Sequence, residues 1–550
     1  MDQQGCLGLK ASVSHVCKRA GVNKAFVSLT VCLDCVCVFL CYFSEGIVFL
    51  CGHRFSSCLR SVQKLSTFDS DVRIDRLYVH IDFKGSPPKP QYLLECFPLW
   101  RQWGATGIIF EWEDMLPFEG KLEVIKKSYC YTKEEVKLMI AAAEKEGLHC
   151  IPLVQTFGHL EFVLKHSEFS ALRENPKEVL NLCPLTEGSQ ELAKELINQT
   201  LKFHPSADII HIGCDEVFNL GFCEKCQLKA MEKGLANVFV DHVSTLLEYC
   251  KSLNVRPLIW HDMMDSYPSN LLSEKLGNIG EPVLWHYGDV SQVSDSTFDN
   301  LYSAFPRVWG ATAFKGAAEP DAVWTPLHQR FANHLSWLEK AVLLKERARN
   351  LEAIVVTGWS RFSHNSALCE ILPVGLPSLH ICLRMLQKGH FSSDLIESAA
   401  AELGIPEYAL LFDETGLDGC AGGGGNATAA TADTATSMCE DGNGEGDRDM
   451  GTNSKFPGWR LYHFISKLEA ARQIYLKIDG QICKQGKNMQ GVREQCLEEI
   501  QTCISGLEGL REELRAGLNE IFYTADVDEF MVTKFEKVLG LVRELKYALN

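Results

Sequence analysis

The chain has 550 residues, 46% hydrophobic and 23% charged, with a net charge of −17. These are globular values, and the length allows more than one domain, although a barrel enzyme alone fills roughly 250 residues. The negative balance argues against a nucleic-acid or anionic-membrane surface as main partner and leaves a neutral sugar or a peptide as substrate.

Residues 1–70 form an atypical apolar N-terminal extension. Its segment FVSLTVCLDCVCVFLCYFSEGIVFLCG has the apolarity of a membrane anchor, but Asp34 and Glu45 interrupt it. One charge near the centre of a span costs roughly 2.5–3.5 kcal/mol, and no small-residue cleavage site follows a short apolar core. Membrane anchorage or secretion through this segment is therefore the alternative, not the expectation.

From residue 77 short β-branched runs alternate with helical patterns. The runs are LYVHIDF (77–83), GIIFEWE (107–113), HCIPLVQT (149–156), IIHIGCDE (209–216), PLIWHDM (257–263), PVLWHYG (282–288), RVWGATAF (307–314) and AIVVTGWS (353–360). Among the intervening helices, one following Thr132 has Glu135 at capping-box spacing and Gly147 as its stop. Eight strand–helix units predict a (β/α)8 TIM barrel over 75–410. An open doubly wound sheet would carry a glycine-rich phosphate loop after its first strand, and DFKGSPPKP is not one. Residues 418–455 are low-complexity and predict a disordered linker. Residues 456–550 repeat apolar positions at three- and four-residue steps, which predicts a C-terminal helical region packed on the barrel or on a partner.

In such a barrel, chemistry collects at the C-terminal strand ends. There stand His80 and Asp82; Glu111, Glu113 and Asp114; His159 and Glu161; Asp215 and Glu216; Trp260, His261, Asp262, Trp285 and Tyr287; Trp309; Trp359 and Arg361. Taken singly, a tryptophan is ordinary core and a strand-end aspartate an ordinary helix cap. Their coincidence around one rim points to a site. Carboxylates ringed by indoles suit a sugar, whose C–H faces stack and whose hydroxyls pair. The adjacent Asp215 and Glu216 cannot form the usual carboxylate pair about 5 Å or more apart across a glycosidic bond. They suit another arrangement, in which the substrate's 2-acetamido oxygen attacks the anomeric carbon, an aspartate holds the acetamido N–H and a glutamate protonates the leaving oxygen.

The segments VHIDFKGSPPK, LVQTFGHLEFVLKH, HIGCDEV, VLWHY, ATAFKG and TGWSRFSH, in this order over about 75–380, resemble the family 20 β-N-acetylhexosaminidases, and most closely their nucleocytoplasmic branch. The resemblance implies that Glu216 is the general acid/base, Asp215 the acetamido-orienting residue and His159 the histidine bonded to the catalytic acid. Glu113 or Asp114 would be that histidine's partner. Trp260, Trp285, Trp309 and Trp359 would line the aromatic pocket, with Tyr287 on the acetamido carbonyl, and Arg361 and Asp82 also facing substrate. The family's strand-1 arginine is absent, with His80 and Asp82 in its place, and His261 stands where a carboxylate is common. The expected activity is removal of terminal non-reducing N-acetyl-β-D-hexosamine from a glycoconjugate or aminosugar, without cofactor or metal. A homo-oligomer is compatible with this reading.

Two rivals have their own residues. A metal-dependent hydrolase would use His80, Asp82, His159, His211 and Asp215, but the eighth strand ends in Trp-Ser-Arg without the usual aspartate. A non-catalytic glycan- or protein-binding scaffold would not need an intact Asp215–Glu216 with His159. Cys223 and Cys226 form a lone C-x-x-C; zinc needs about four ligands and no second pair lies nearby in sequence, so a loop thiol pair is expected. Many thiols crowd the first sixty residues, but those outside the N-terminus (Cys150, Cys214, Cys369) fall in buried strand and helix patterns, which implies a reducing cytoplasmic and nuclear setting. The sequons at Asn198 and Asn426 matter only in a secreted chain.

Overall fold

The computed structural model describes residues 31–33, 36–43, 46–51, 72–406, 410, 455–485 and 492–550. Two compact units divide it, Met1–Thr67 and Phe68–Asn550. In the first, Val31–Leu33, Val36–Phe43 and Gly46–Cys51 pair antiparallel in chain order. The remainder of the apolar extension lies outside the described residues, as do 418–454 of the expected linker.

In the second unit eight parallel strands close a barrel: β1 (Leu77–Asp82), β2 (Gly107–Glu111), β3 (His149–Leu153), β4 (Ile209–His211), β5 (Arg256–Trp260), β6 (Glu281–Trp285), β7 (Trp309–Lys315) and β8 (Ile354–Gly358). The ring closes where β8 pairs with β1, Ile354 opposite Leu77. All eight runs read from the sequence form strands, and helices such as Pro90–Trp103, Ser189–Phe203 and Leu235–Ser252 surround them. Lys133–Lys145 starts with both halves of the Thr132–Glu135 capping box, which satisfies two amide donors that the first turn leaves unpaired.

Alternate strand residues fill the barrel. Tyr78, Ile109, Ile151, Ile209, Val283, Trp309 and Val355 belong to one buried core cluster. Above them the interior turns polar. His80, Glu111 and His211 are fully buried, with His80 Nε2 2.8 Å from Glu111 Oε2 and the His211 ring 4.3 Å from that of Trp260. This step from apolar to polar along one set of strands sets up a reactive end.

β4 is shorter than the run read from sequence. It stops at His211 because Gly213, Cys214 and Glu216 take positive φ values of 69°, 73° and 48°, a region that leaves the extended ladder. Trp309 also departs from expectation. It opens β7 at the far end of the barrel, fully buried, its indole N–H donating to Glu281 Oε2 at 2.8 Å and its ring 5.3 Å from Tyr78. It is core and lines no sugar pocket.

The C-terminal helices Trp459–Gln485, Arg493–Ile521, Thr524–Phe530 and Lys537–Leu549 pack on the barrel. They reach the loops that follow β1, β2, β7 and β8. Lys89 N–H donates to Ile521 O at 2.7 Å, Tyr129 O–H to Asp526 Oδ1 at 2.7 Å, Lys534 Nζ to Asp321 O at 2.6 Å, and the Arg361 guanidinium pairs with Glu529. They thus build one wall of the reactive end.

The placement of Trp309 is testable. Trp309→Ala should cost about 3–5 kcal/mol in urea unfolding, while Trp309→Phe should keep KM unchanged. A KM raised by the Phe variant would return Trp309 to the substrate site.

Candidate active site

Two loops converge above the polar interior. The loop after β3 carries Gly158 and His159, and the turn after β4 carries Asp215 and Glu216. His159 Nε2 lies 3.1 Å from Glu216 Oε2 and 3.5 Å from Asp215 Oδ2. This approach depends on missing side chains: a Cβ on Gly158 would lie 2.0 Å from Asp215 O, and one on Gly213 1.9 Å from Gln155 Oε1. Four of the six non-glycine residues with positive φ among those described are Glu113, His159, Cys214 and Glu216, all at this end. Such residues each cost about 1–3 kcal/mol, so strain is concentrated where these side chains must converge.

The two carboxylates differ in setting. Asp215 has 9% of its side chain exposed and Glu216 34%. Burial raises the Asp215 pKa; the His159 charge opposes this and nearby Asp262 adds to it, leaving it at about 7. Burial would lower His159, but Asp215 and the Glu216 hydrogen bond outweigh it and push the imidazole up to about 10. The Glu216 backbone N–H donates to Asp262 Oδ2 at 2.9 Å, and the Trp285 indole N–H to Asp262 Oδ1 at 3.1 Å. Asp262 therefore holds the backbone of one carboxylate and an aromatic wall together.

The aromatic group is formed in part as the sequence implied. The Trp285 and Tyr287 rings stack at 5.4 Å, and the Trp359 indole N–H donates to the Tyr287 hydroxyl at 2.9 Å. All three are partly exposed. Trp260 is fully buried beneath Trp359, its ring 6.1 Å away, so it is floor and not a contact surface. His261 is buried, and that burial lowers its pKa to about 3, so it stays neutral.

Glu113 and Asp114 do not meet His159. Lys84 Nζ donates to Glu113 Oε1 at 3.3 Å, and His364 stands with Nδ1 3.2 Å from Glu113 Oε2 and Nε2 3.4 Å from Asp114 Oδ2. Burial would raise Glu113, but Lys84 and His364 hold it down at about 2. No hydrogen bond joins either carboxylate to His159, whose buried Nδ1 has no partner. Asp82 is closed off too, accepting Lys84 N–H at 2.7 Å and Ser360 N–H at 2.9 Å. It locks β1 to the end of β8. Arg361 is nine-tenths buried and committed to Glu529 and to Ser366 O. The sequence reading gave no role to Lys84, Asp262 or His364. Lys84 and His364 lay within VHIDFK and TGWSRFSH, and Asp262 beside His261, but nothing in those strings says which partner each meets.

The geometry is a partly exposed carboxylate, a buried neighbouring carboxylate and an imidazole nitrogen facing both, beside an aromatic wall. It can donate a proton, hold an N–H and bind an apolar ring face. The profile of "Glycosyl hydrolase family 20, catalytic domain" matches residues 106–280. Hexosaminidase D of Homo sapiens is 39% identical over 335 residues, 60% of this chain and 68% of the relative. Hexosaminidase D of Bos taurus is 40% identical over 335 residues, 60% of this chain and 96% of the relative. Among solved structures, a chitobiase of Flavobacterium johnsoniae matches with a TM-score of 0.48 and 14% identity, covering 93% of this chain and 79% of its own. The chain belongs to glycosyl hydrolase family 20.

Proposed function

We propose that this chain is an exo-acting β-N-acetylhexosaminidase that removes terminal non-reducing N-acetyl-β-D-hexosamine residues by substrate-assisted retaining catalysis. Family membership supports the reaction class, as do relatives named hexosaminidase D. The observation that carries the mechanism is the adjacency of Asp215 and Glu216 on one imidazole nitrogen. Carboxylates on one side of a site cannot serve opposite faces of a sugar ring.

In this reading Glu216, the more exposed carboxylate, donates its proton to the glycosidic oxygen. The acetamido carbonyl oxygen of the same sugar forms a bond to the anomeric carbon as the bond to the leaving oxygen breaks. Asp215 accepts the acetamido N–H, which keeps the oxygen aimed and offsets the positive charge that develops on the ring. Glu216, now ionised, takes a proton from water. That water bonds to the anomeric carbon as the bond from that carbon to the acetamido oxygen breaks, which restores the acetamido group and leaves the configuration retained. His159 bonds Glu216 and fixes its rotamer. Tyr287, oriented by the Trp359 indole, is placed for the acetamido carbonyl, and Trp285 and Trp359 offer apolar faces to the pyranose.

The wild-type chain should hydrolyse nitrophenyl N-acetyl-β-hexosaminides and leave the matching glucoside and galactoside, which lack the acetamido group, uncleaved. Glu216→Gln should lower kcat by roughly 10²–10⁴ on unactivated leaving groups. Near-normal turnover by that variant would remove Glu216 from the role, and ready cleavage of the plain glucoside would remove substrate assistance.

The pH profile follows from Asp215, which must be ionised to accept an N–H. With its pKa raised to about 7, kcat/KM should rise with pH through about 7 and fall below it. Asp215→Asn should lower kcat/KM by roughly 10²–10³ and abolish this acid limb. A wild-type profile flat from about pH 5 to about pH 8 contradicts the assignment.

We further infer that the enzyme works in the cytoplasm and nucleus. Cys96, Cys150, Cys250 and Cys382 are free thiols buried within strands and helices, the usage of a reducing compartment. Among the described residues no helix is long and apolar enough to cross a membrane. Fractionation should recover it in cytosolic and nuclear extracts; retention in membranes after alkaline carbonate, or a glycan on Asn198, is the contrary result.

A further inference from the structure

The C-x-x-C of Cys223 and Cys226 is a lone pair only in sequence. The fold brings Cys183 and Glu174 to it from the loop that follows β3. Cys183 Sγ lies 3.5 Å from Cys223 Sγ and 3.7 Å from Cys226 Sγ, and Glu174 Oε2 lies 3.2 Å from Cys226 Sγ. The four donor atoms all fall within 4.8 Å of one another; Glu174, Cys183 and Cys226 are buried and Cys223 partly so. We propose that these residues bind one zinc ion in a closed structural site. That site would tie the loop carrying His159 to the loop carrying Asp215 and Glu216.

The spacing is that of a tetrahedral shell. Zinc–sulfur bonds of about 2.3 Å and zinc–oxygen bonds of about 2.0–2.2 Å give tetrahedral edges of about 3.8 Å between sulfurs and about 3.5 Å between sulfur and oxygen. The Cys183–Cys223, Cys183–Cys226 and Glu174–Cys226 separations lie within a few tenths of an ångström of those edges, and every pair of donors is within 4.8 Å. A disulfide requires about 2.05 Å between sulfurs. It would join two of the three thiols and leave the third, with a buried carboxylate, unused.

The surroundings are those of bound ligands. Glu174 turns Oε2 to the sulfurs while Oε1 accepts Gly221 N–H at 2.9 Å and Cys223 N–H at 3.0 Å, an outer shell that fixes a ligating carboxylate. Cys223 caps the helix Glu224–Lys233, and its Sγ accepts the Cys226 N–H at 3.4 Å. An N–H bond and a helix N-terminus both favour thiolate over thiol. Binding would release the three thiol protons, and zinc would cancel two of the four resulting negative charges. Thiolate donors select zinc over magnesium or calcium. Four protein ligands leave no open position, so the ion offers nothing to a substrate. Its effect would be to hold Glu216 against His159, because Gly221 and Cys223 belong to the same turn as Glu216. The proposal does not depend on the glycosidase reading.

Elemental analysis of the full-length protein, purified in reductant without chelator, should find about one zinc per chain. Cobalt exchanged for zinc should give a thiolate-to-cobalt charge-transfer band in the near ultraviolet and the intense visible bands of a tetrahedral centre. Stripping the metal should lower Tm, and added zinc should restore it. The double variant Cys223→Ser, Cys226→Ser should hold no zinc. Should that variant not fold, Glu174→Gln, which keeps the Oε1 acceptor but loses the anionic ligand, should fold and bind zinc measurably more weakly than wild type. The proposal is overturned by metal-free protein whose Tm does not respond to zinc. It is equally overturned by a disulfide joining Cys183 to Cys223 or Cys226 in unreduced protein.

Discussion

One imidazole nitrogen facing two carboxylates is the contact on which the reactive end depends. His159 Nε2 can approach Asp215 and Glu216 only if the backbones of the β3 and β4 loops nearly touch, and that contact leaves no room for a Cβ at Gly158 or Gly213. The same crowding turns His159, Cys214 and Glu216 into left-handed conformations. The rigid eight-stranded ring beneath supplies what holds that strain. Its strands are hydrogen-bonded on both sides, and its interior is packed with Tyr78, Trp309 and the aliphatic cluster.

Charge is the second constraint. Asp82, Glu111, Glu113, Asp114, Asp215 and Asp262 all lie at one end with little exposure. Carboxylates in low dielectric are tolerable only when paired. Lys84 sits against Asp82 and Glu113, His80 against Glu111, His364 against Glu113 and Asp114, and His159 against Asp215 and Glu216. The pairings are unequal, and that inequality is useful. Burial would raise both Glu111 and Glu113, but Lys84, with His80 and His364 respectively, keeps them ionised. Asp215, crowded by Asp262, is pushed towards neutrality. Neighbouring groups of one chemical type thus separate into fixed counter-charges and a titrating group.

The C-terminal helices share in this end of the barrel. By taking Arg361 into an ion pair with Glu529 and bonding the loops after β1, β2 and β7, they stiffen the rim opposite the β3 and β4 loops. A cleft of about 470 Å³ lined by Arg361, His364 and Glu529 lies along that seam. The barrel carries the His159–Asp215–Glu216 cluster, and the appended helices form part of the rim at the same end.

The sequence by itself determined the eight strands, their order and the end at which polar side chains collect. Those follow from local periodicity and from the rule that strand-to-helix turns carry the site. It also marked Asp215 and Glu216, because adjacent acids close an apolar run there, and His159 through the resemblance of its Phe-Gly-His loop to the family's. Only the tertiary structure decided the partners. Whether Glu113 meets His159 or His364, whether Arg361 faces a substrate or Glu529, and whether Trp309 is wall or core depend on strand register and on loops distant in the chain. The same holds for Cys183 and Glu174, which lie 40 and 49 residues from Cys223 in sequence yet stand beside it and Cys226. Spacing along a chain reports which residues share a face of one element. Which faces meet is fixed by closure of the barrel, a property of all the strands at once.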